Sequence, residues 1–172
     1  MRALWFRFLD WFARFRGRRA IPREPVSIRP IGVVRNGVAE PRMDGWGQVR
    51  SDIIVRDELS GALDGIEQYS HIIVVFAFDR VPEAELRDRV RPRGDARIPE
   101  QGVLATRSQL RPSPLGVSVV RLLRRRGNIL RVQGLDAIDS TPVLDVKPYF
   151  PNYDAVQDAE VPGWARALEA AE

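Results

Sequence analysis

The chain is 172 residues long, 44% hydrophobic and without cysteine. That fits one packed domain with an appendage and excludes a disordered chain, disulfides, thiolate metal sites and cysteine nucleophiles. The net charge is +4, but residues 1–25 hold seven arginines against Asp10 and Glu24, a net of +5; the remainder carries −1, so charge alone does not make the main domain a nucleic-acid binder.

Residues 1–20 read as a separate amphipathic helix. Leu4, Trp5, Phe8, Leu9, Trp11, Phe12 and Phe15 fall on one side at about 100° per residue. Arg7, Asp10 and Arg14 fall on the other, and Arg16, Arg18 and Arg19 follow. The stretch is too short and too charged to span a bilayer, and it lacks a signal peptide's apolar run and cleavage site. Three readings stand open for it: packing on its own domain or a partner, a peripheral membrane contact, or an arm that touches RNA. Ile21-Pro-Arg-Glu-Pro25 then reads as a stiff linker.

Seven runs read as strands: residues 28–35, 48–56, 69–78, 102–106, 117–123, 129–133 and 143–149. Short helices are expected over 57–63, 82–90 and 163–170. Turns rich in Gly, Pro, Asn and Asp space the strands closely, with no strand–long helix–strand alternation. The pattern suggests a mainly β fold, an antiparallel barrel or sandwich, with a few short helices. There is no G-x-G-x-x-G loop, so a nucleoside cofactor would be held without that device.

Four segments carry more chemistry than a structural β-domain needs. Glu40-Pro-Arg-Met-Asp-Gly-Trp46 is a loop between two strands. The stretch 102–116 sets Arg107 and Arg111 four residues apart before backbone stiffened by prolines, a pairing suited to a carboxylate or phosphate, or simply a solvated turn. Gln133-Gly-Leu-Asp-Ala-Ile-Asp-Ser-Thr-Pro142 places Asp136 and Asp139 at a strand end, either to accept from ribose hydroxyls or an adenine amine, or to cap a turn. In Leu144-Asp-Val-Lys-Pro-Tyr149, Asp145, Lys147 and Tyr149 share one strand face, which makes a proton-handling surface or a plain salt bridge with a half-buried tyrosine. Lys147 is the only lysine among 27 basic residues, so a compact ammonium is singled out where arginine is otherwise the rule. His71, the only histidine, excludes a two-histidine metal site within one chain.

Taken in order, Pro30-Ile-Gly32, Pro41-Arg42, Leu63-Asp-Gly-Ile-Glu-Gln-Tyr-Ser-His71, Gly102-Val-Leu-Ala-Thr-Arg-Ser108, Arg111-Pro-Ser-Pro-Leu-Gly116, Gly134-Leu-Asp136 and Thr141-Pro-Val-Leu-Asp-Val-Lys-Pro-Tyr149 resemble the TsaA-like, or TrmO, family over residues 27–164. The resemblance implies a single-sheet antiparallel β-barrel that binds S-adenosylmethionine and works as a homodimer, with its pocket near the subunit interface. The implied reaction is methylation of N6 of threonylcarbamoyladenosine at position 37 in the tRNA anticodon loop. A methyltransferase with another RNA or small-molecule acceptor, and a non-catalytic S-adenosylmethionine sensor, are the alternatives. The implied cofactor contacts are Met43, Asp44 and Gly45; Asp79 and Arg80; Arg107 and Val117; and Gln133, Gly134, Leu135 and Asp136. Asp145, Lys147 and Tyr149 are the expected catalytic residues. No metal is expected, and the expected location is the cytoplasm, with residues 1–20 as the candidate membrane contact. The implied domains are a basic helix and linker over 1–25, the barrel over 27–164 and a helical tail over 165–172. Against the usual family pattern, Ser113 stands for asparagine, Leu115 for isoleucine, Ser140 for glycine and Met43 for glutamine.

Overall fold

A computed structural model of the chain describes residues 25–169. The expected helix over residues 1–20, and most of its linker, lie outside the described residues. Six strands close into an antiparallel barrel: β1 (Gly32–Arg35), β2 (Arg50–Val55), β3 (His71–Ala77), β6 (Leu115–Arg126), β7 (Ile129–Gln133) and β8 (Pro142–Pro148). Around the barrel the order is β1-β2-β7-β6-β3-β8. Two short strands, β4 (Arg89–Val90) and β5 (Gln101–Gly102), pair with each other in the long connection between β3 and β6. Helix α1 (Pro151–Asp154) and helix α2 (Gly163–Glu169) follow the barrel. Among the described residues no helix is long and apolar enough to cross a membrane.

The barrel follows from side-chain alternation. In β3, Ile72, Val74 and Phe76 point inward and are buried, while the residues between them are not. In β6, Gly116, Ser118, Val120 and Leu122 alternate with exposed positions in the same way. With Ile53, Leu130, Val132 and Val143 these inward side chains form one core, and each large aliphatic or aromatic one contributes about 1.5–3 kcal/mol. Two bulges change the phase. On β8, Phe76 faces Val143 while Val75 faces Asp145, so Leu144 is the extra residue. Val143 therefore points inward before the bulge, and Val146 turns to the core after it. On β6, the register shifts between Leu122 and Arg124. Closure between β1 and β8 rests on two registered pairs, Gly32–Val143 and Val33–Pro142. Gly32 cannot be replaced cheaply there: a Cβ would stand 2.4 Å from the Ile54 carbonyl oxygen.

Two expected elements differ. Residues 102–106 do not form a strand; β5 ends at Gly102 and a 3-10 turn covers Val103–Ala105. The single-turn width of the loop leaves the apolar run Val103-Leu104-Ala105 to bury only Val103. Residues 82–90 do not form a helix; a 3-10 turn covers Glu83–Glu85 and Arg89–Val90 pairs as β4. Here Arg87 hydrogen-bonds local carbonyls, and its backbone N–H donates to Leu110 O, so tertiary partners override helical propensity.

Candidate functional site

One end of the barrel gathers the β1–β2 loop, the exit of β3 and the 134–141 connection after β7. Asp139 ties them. Its Oδ1 accepts from the backbone N–H groups of Asn36 at 2.8 Å and Gly37 at 3.1 Å. Its Oδ2 accepts from Arg35 Nη1 at 3.2 Å and from Ser140 Oγ at 3.0 Å. The two backbone donors, followed by these side chains, hold the Asp139 carboxyl at about 2, below the usual carboxylate range. Asp139 is thus the turn cap. Asn36 completes the tie: its Nδ2 donates to Ser51 Oγ at 3.0 Å and to Ala137 O at 2.9 Å.

Arg80, an expected cofactor residue, reaches across this end. Its guanidinium donates to Asp139 O at 2.9 Å and Ala39 O at 3.4 Å, fixing the β3 exit to both neighbouring loops. Asp79 beside it is exposed. In the first loop, Trp46 Nε1 donates to Arg42 O at 2.9 Å and the Arg42 guanidinium lies 4.8 Å from the indole centroid. That clasp presents Met43, Asp44 and Gly45 at an exposed tip, with Gly45 at φ +73°. Gln133 Nε2 donates to Gly47 O at 3.0 Å, and Gly134 N–H donates to Val49 O at 3.0 Å. Gly134 has φ +93°, which turns the chain off β7. Leu135 then enters the core and is fully buried, so it can offer a ligand only main-chain groups. Asp136 stays exposed and accepts a hydrogen bond from Ser118 Oγ, a buried hydroxyl on β6.

Nine expected residues therefore share this rim: Met43, Asp44, Gly45, Asp79, Arg80, Gln133, Gly134, Leu135 and Asp136. The other five lie on the outer wall of β6, β3 and β8. Val117, Val75 and Asp145 are register partners across the three strands, as are Val119, Ile73 and Lys147. Arg107 donates to Val117 O, which brings these two together. Lys147 Nζ stands 2.6 Å from Asp145 Oδ2. Tyr149 is apart from that pair; its ring packs edge-on to His71 at 6.4 Å. Arg111 does not join Arg107. It turns back on its own loop, donating to Thr106 O at 3.1 Å and Val103 O at 3.5 Å.

Sequence reasoning missed Asn36 and Ser118, which orient the rim without being conspicuous in composition. The Asn36-Gly37 turn pair is the signal for the first; Ser118 in an apolar strand carries none. An open groove of about 490 Å³ lies elsewhere, lined by Arg29, Pro30, Ile54, Arg56, Asp57 and Asn128 among others, and contains no expected site residue.

The rim suits a nucleoside with an amino-acid tail. It offers carboxylates for hydroxyl and amine donors, the amide of Gln133, and main chain at Gly45 and Gly134, where nothing stands within 4 Å of a would-be Cβ. A flat ring can approach the backbone there. No group of three or more metal-ligating side chains occurs among the described residues.

A family model described as the tRNA-methyltransferase O N-terminal domain matches residues 13–155. The S-adenosyl-L-methionine-binding protein of Archaeoglobus fulgidus is 39% identical over 137 residues, 77% of this chain and 96% of that protein. The tRNA (adenine(37)-N6)-methyltransferase of Escherichia coli is 35% identical over 160 residues, 85% of this chain and 66% of that protein. A crystal structure of TrmO superposes with a TM-score of 0.66 at 36% identity, covering 80% of this chain and 64% of that one.

Proposed function

The chain belongs to the family of the tRNA-methyltransferase O N-terminal domain, and from that premise we propose that it is an S-adenosylmethionine-dependent tRNA methyltransferase acting on N6 of threonylcarbamoyladenosine at position 37. The observation that carries this reading is the rim itself. Asp136, oriented by Ser118, and Gln133, anchored to Gly47, stand beside open main chain at Gly134. The names of the Archaeoglobus and Escherichia relatives support cofactor and substrate class respectively.

S-adenosylmethionine, when bound, supplies a methyl group already activated as a sulfonium, so the protein's task is placement and exclusion of water. Asp136 would accept from the cofactor's ribose hydroxyls, and Gln133 and the Gly134 main chain would contact its base. Arg107, one arm of which is spent on Val117 O, keeps further N–H groups for a carboxylate. Threonylcarbamoyladenosine carries such a carboxylate, which makes Arg107 the specificity clamp. The acceptor nitrogen gives up a proton. Asp145 takes it at Oδ1, the oxygen that the salt bridge leaves outside its 2.6 Å contact, while Lys147 holds the carboxylate in place through Oδ2. Tyr149 closes the row at its far end.

The rim and the Arg107–Lys147 wall belong to one site once a second copy packs on the outer face of β6 between Leu115 and Val119. Leu115, Val117 and Val119 are 38%, 47% and 51% exposed there, an apolar stripe that water does not favour. The working unit in this reading is a homodimer, located in the cytoplasm.

Isotope-labelled methyl transfer to tRNA with and without threonylcarbamoylation, followed by nucleoside mass spectrometry, tests the proposal. Label on the hypermodified adenosine is expected. Label on another nucleoside shifts the acceptor, and cofactor uptake with no transfer to any RNA leaves a methyltransferase of a small molecule or a sensor instead.

A further inference from the structure

The outer wall of β2, β7 and β6 is unlike the apolar wall beside it. Arg121, Arg124 and Arg126 point outward from β6, Arg131 from β7 and Arg50 from β2. Asp52 is the carboxylate on this surface. It takes Arg131 bidentately, with Nε at 2.7 Å and Nη2 at 2.6 Å. The Arg131 hydrogen bond, and behind it the charge of Arg124, keep that carboxyl below its ordinary value. Nearby acids are committed elsewhere: Asp64 and Glu67 to Arg125, Asp57 to Asn128, Glu58 to Arg56.

Four arginines thus stand exposed, and Arg124 faces Arg131 directly across the ladder. Like charges opposite one another weaken a sheet, and the single carboxylate of Asp52, paired with Arg131 and drawn to Arg124, leaves most of this face's positive charge uncompensated. It exists within a domain whose charge outside residues 1–25 is −1. The face also has a direction. Arg50 and Arg121 are the two register partners of Gln133, one on each side, so the stripe starts at the rim. It runs to the Arg126–Ile129 pair, a span of about 13 Å at ~3.3 Å per residue.

We infer that this face is a phosphate track that seats the backbone of a folded RNA and leads it to the rim. The inference rests on the tRNA reading above and adds to it the surface that the RNA uses. Guanidinium forks suit phosphate oxygens, and a row of them neutralises successive backbone charges. An anionic bilayer fits less well. The stripe carries no aromatic side chain, and Leu123 at the bulge is its one well-exposed apolar residue, whereas surface insertion needs a buried apolar face.

The test is equilibrium binding of tRNA, by anisotropy across a salt series, to the full chain and to its Arg121→Gln/Arg124→Gln/Arg126→Gln variant. Each lost contact removes about 0.7–0.9 from the salt slope, so the slope should fall by about two to three and affinity at least tenfold at low salt. An Arg89→Gln/Arg166→Gln control, likewise exposed but carried by β4 and α2 outside this wall, should bind as the parent. Thermal midpoint, S-adenosylmethionine uptake and binding to phosphatidylserine vesicles are measured on the same samples. If the triple variant melts early, the three single substitutions decide, each lowering the slope by about 0.7–0.9. Unchanged affinity and slope, an equal loss in the control, no tRNA binding by the parent, or a loss confined to phosphatidylserine vesicles overturns the track. Absent cofactor uptake with the tRNA effect intact overturns the methyltransferase reading and leaves the track standing.

Discussion

Gly116 and Phe76 should behave as a coupled pair. A Cβ at Gly116 would lie 2.3 Å from Phe76 Cε2 and Cζ. Carbon atoms rest at about 3.5–4.0 Å, so the ring would have to retreat by more than an ångström. It has little room: Phe76 is 1% exposed and meets Phe78 edge-on at 5.3 Å. Gly116→Ala should therefore cost about 1–3 kcal/mol as overpacking, a fall of roughly 2–4 °C in Tm per kcal/mol for a chain of this size. Phe76→Leu alone should cost about 1–2 kcal/mol through the space it leaves. The double variant should cost less than the sum by at least about 1 kcal/mol, because the smaller side chain makes room for the methyl. Urea unfolding of the four proteins measures this. Additive losses would refute the argument that ring and glycine compete for one volume. Because Gly116 sits two residues before Ser118, the single Gly116→Ala variant should also weaken cofactor binding, and Phe76→Leu should restore part of it.

Three further outcomes are expected. Ser140 has φ +69°, a conformation that costs a non-glycine residue about 1–2 kcal/mol; Ser140→Gly should raise Tm even though it removes the hydroxyl's contacts with Asp139 and Arg35, and Ser140→Val should lower it. Lys147→Ala should reduce single-turnover methyl transfer far more than cofactor affinity, since the lysine positions Asp145; an unchanged turnover rate would remove Lys147 from the mechanism. Asp139 is depressed from 3.8 to about 2 in the folded protein, so its contribution to stability is complete above about pH 4 and is lost as pH falls towards 2. The stability difference between the parent and Asp139→Asn should accordingly narrow over that interval in acid titrations, and a difference that stays constant there would assign the cap another role.

Much of the barrel was legible because its strands alternate. Residues 129–133 read as a strand with the bounds that β7 has, since Leu130 and Val132 are inward and their neighbours are not. The two short elements were not legible. Whether Val103 starts a turn or continues a strand depends on Asp88 O, which receives its N–H from across the connection. The bulge at Leu144 was equally hidden, yet it decides that Asp145 and Lys147 face outward. At the site, residue types spoke clearly and their grouping did not. Asp136 and Asp139 read alike in sequence; one is an exposed rim carboxylate and the other a cap sunk in backbone donors, a difference set by Asn36 and Gly37 a hundred residues earlier. Ser140 is the converse case: its departure from the family's glycine was visible, and its positive φ supplies the reason glycine is favoured there.

The most direct measurement is calorimetric titration of S-adenosylmethionine into the folded chain and into Asp136→Ala. Saturable heat with the parent, and at least tenfold weaker binding by a variant of unchanged Tm, is the predicted result. No heat at millimolar nucleoside, or equal affinity in the two proteins, would contradict the assignment of this barrel rim as the cofactor site.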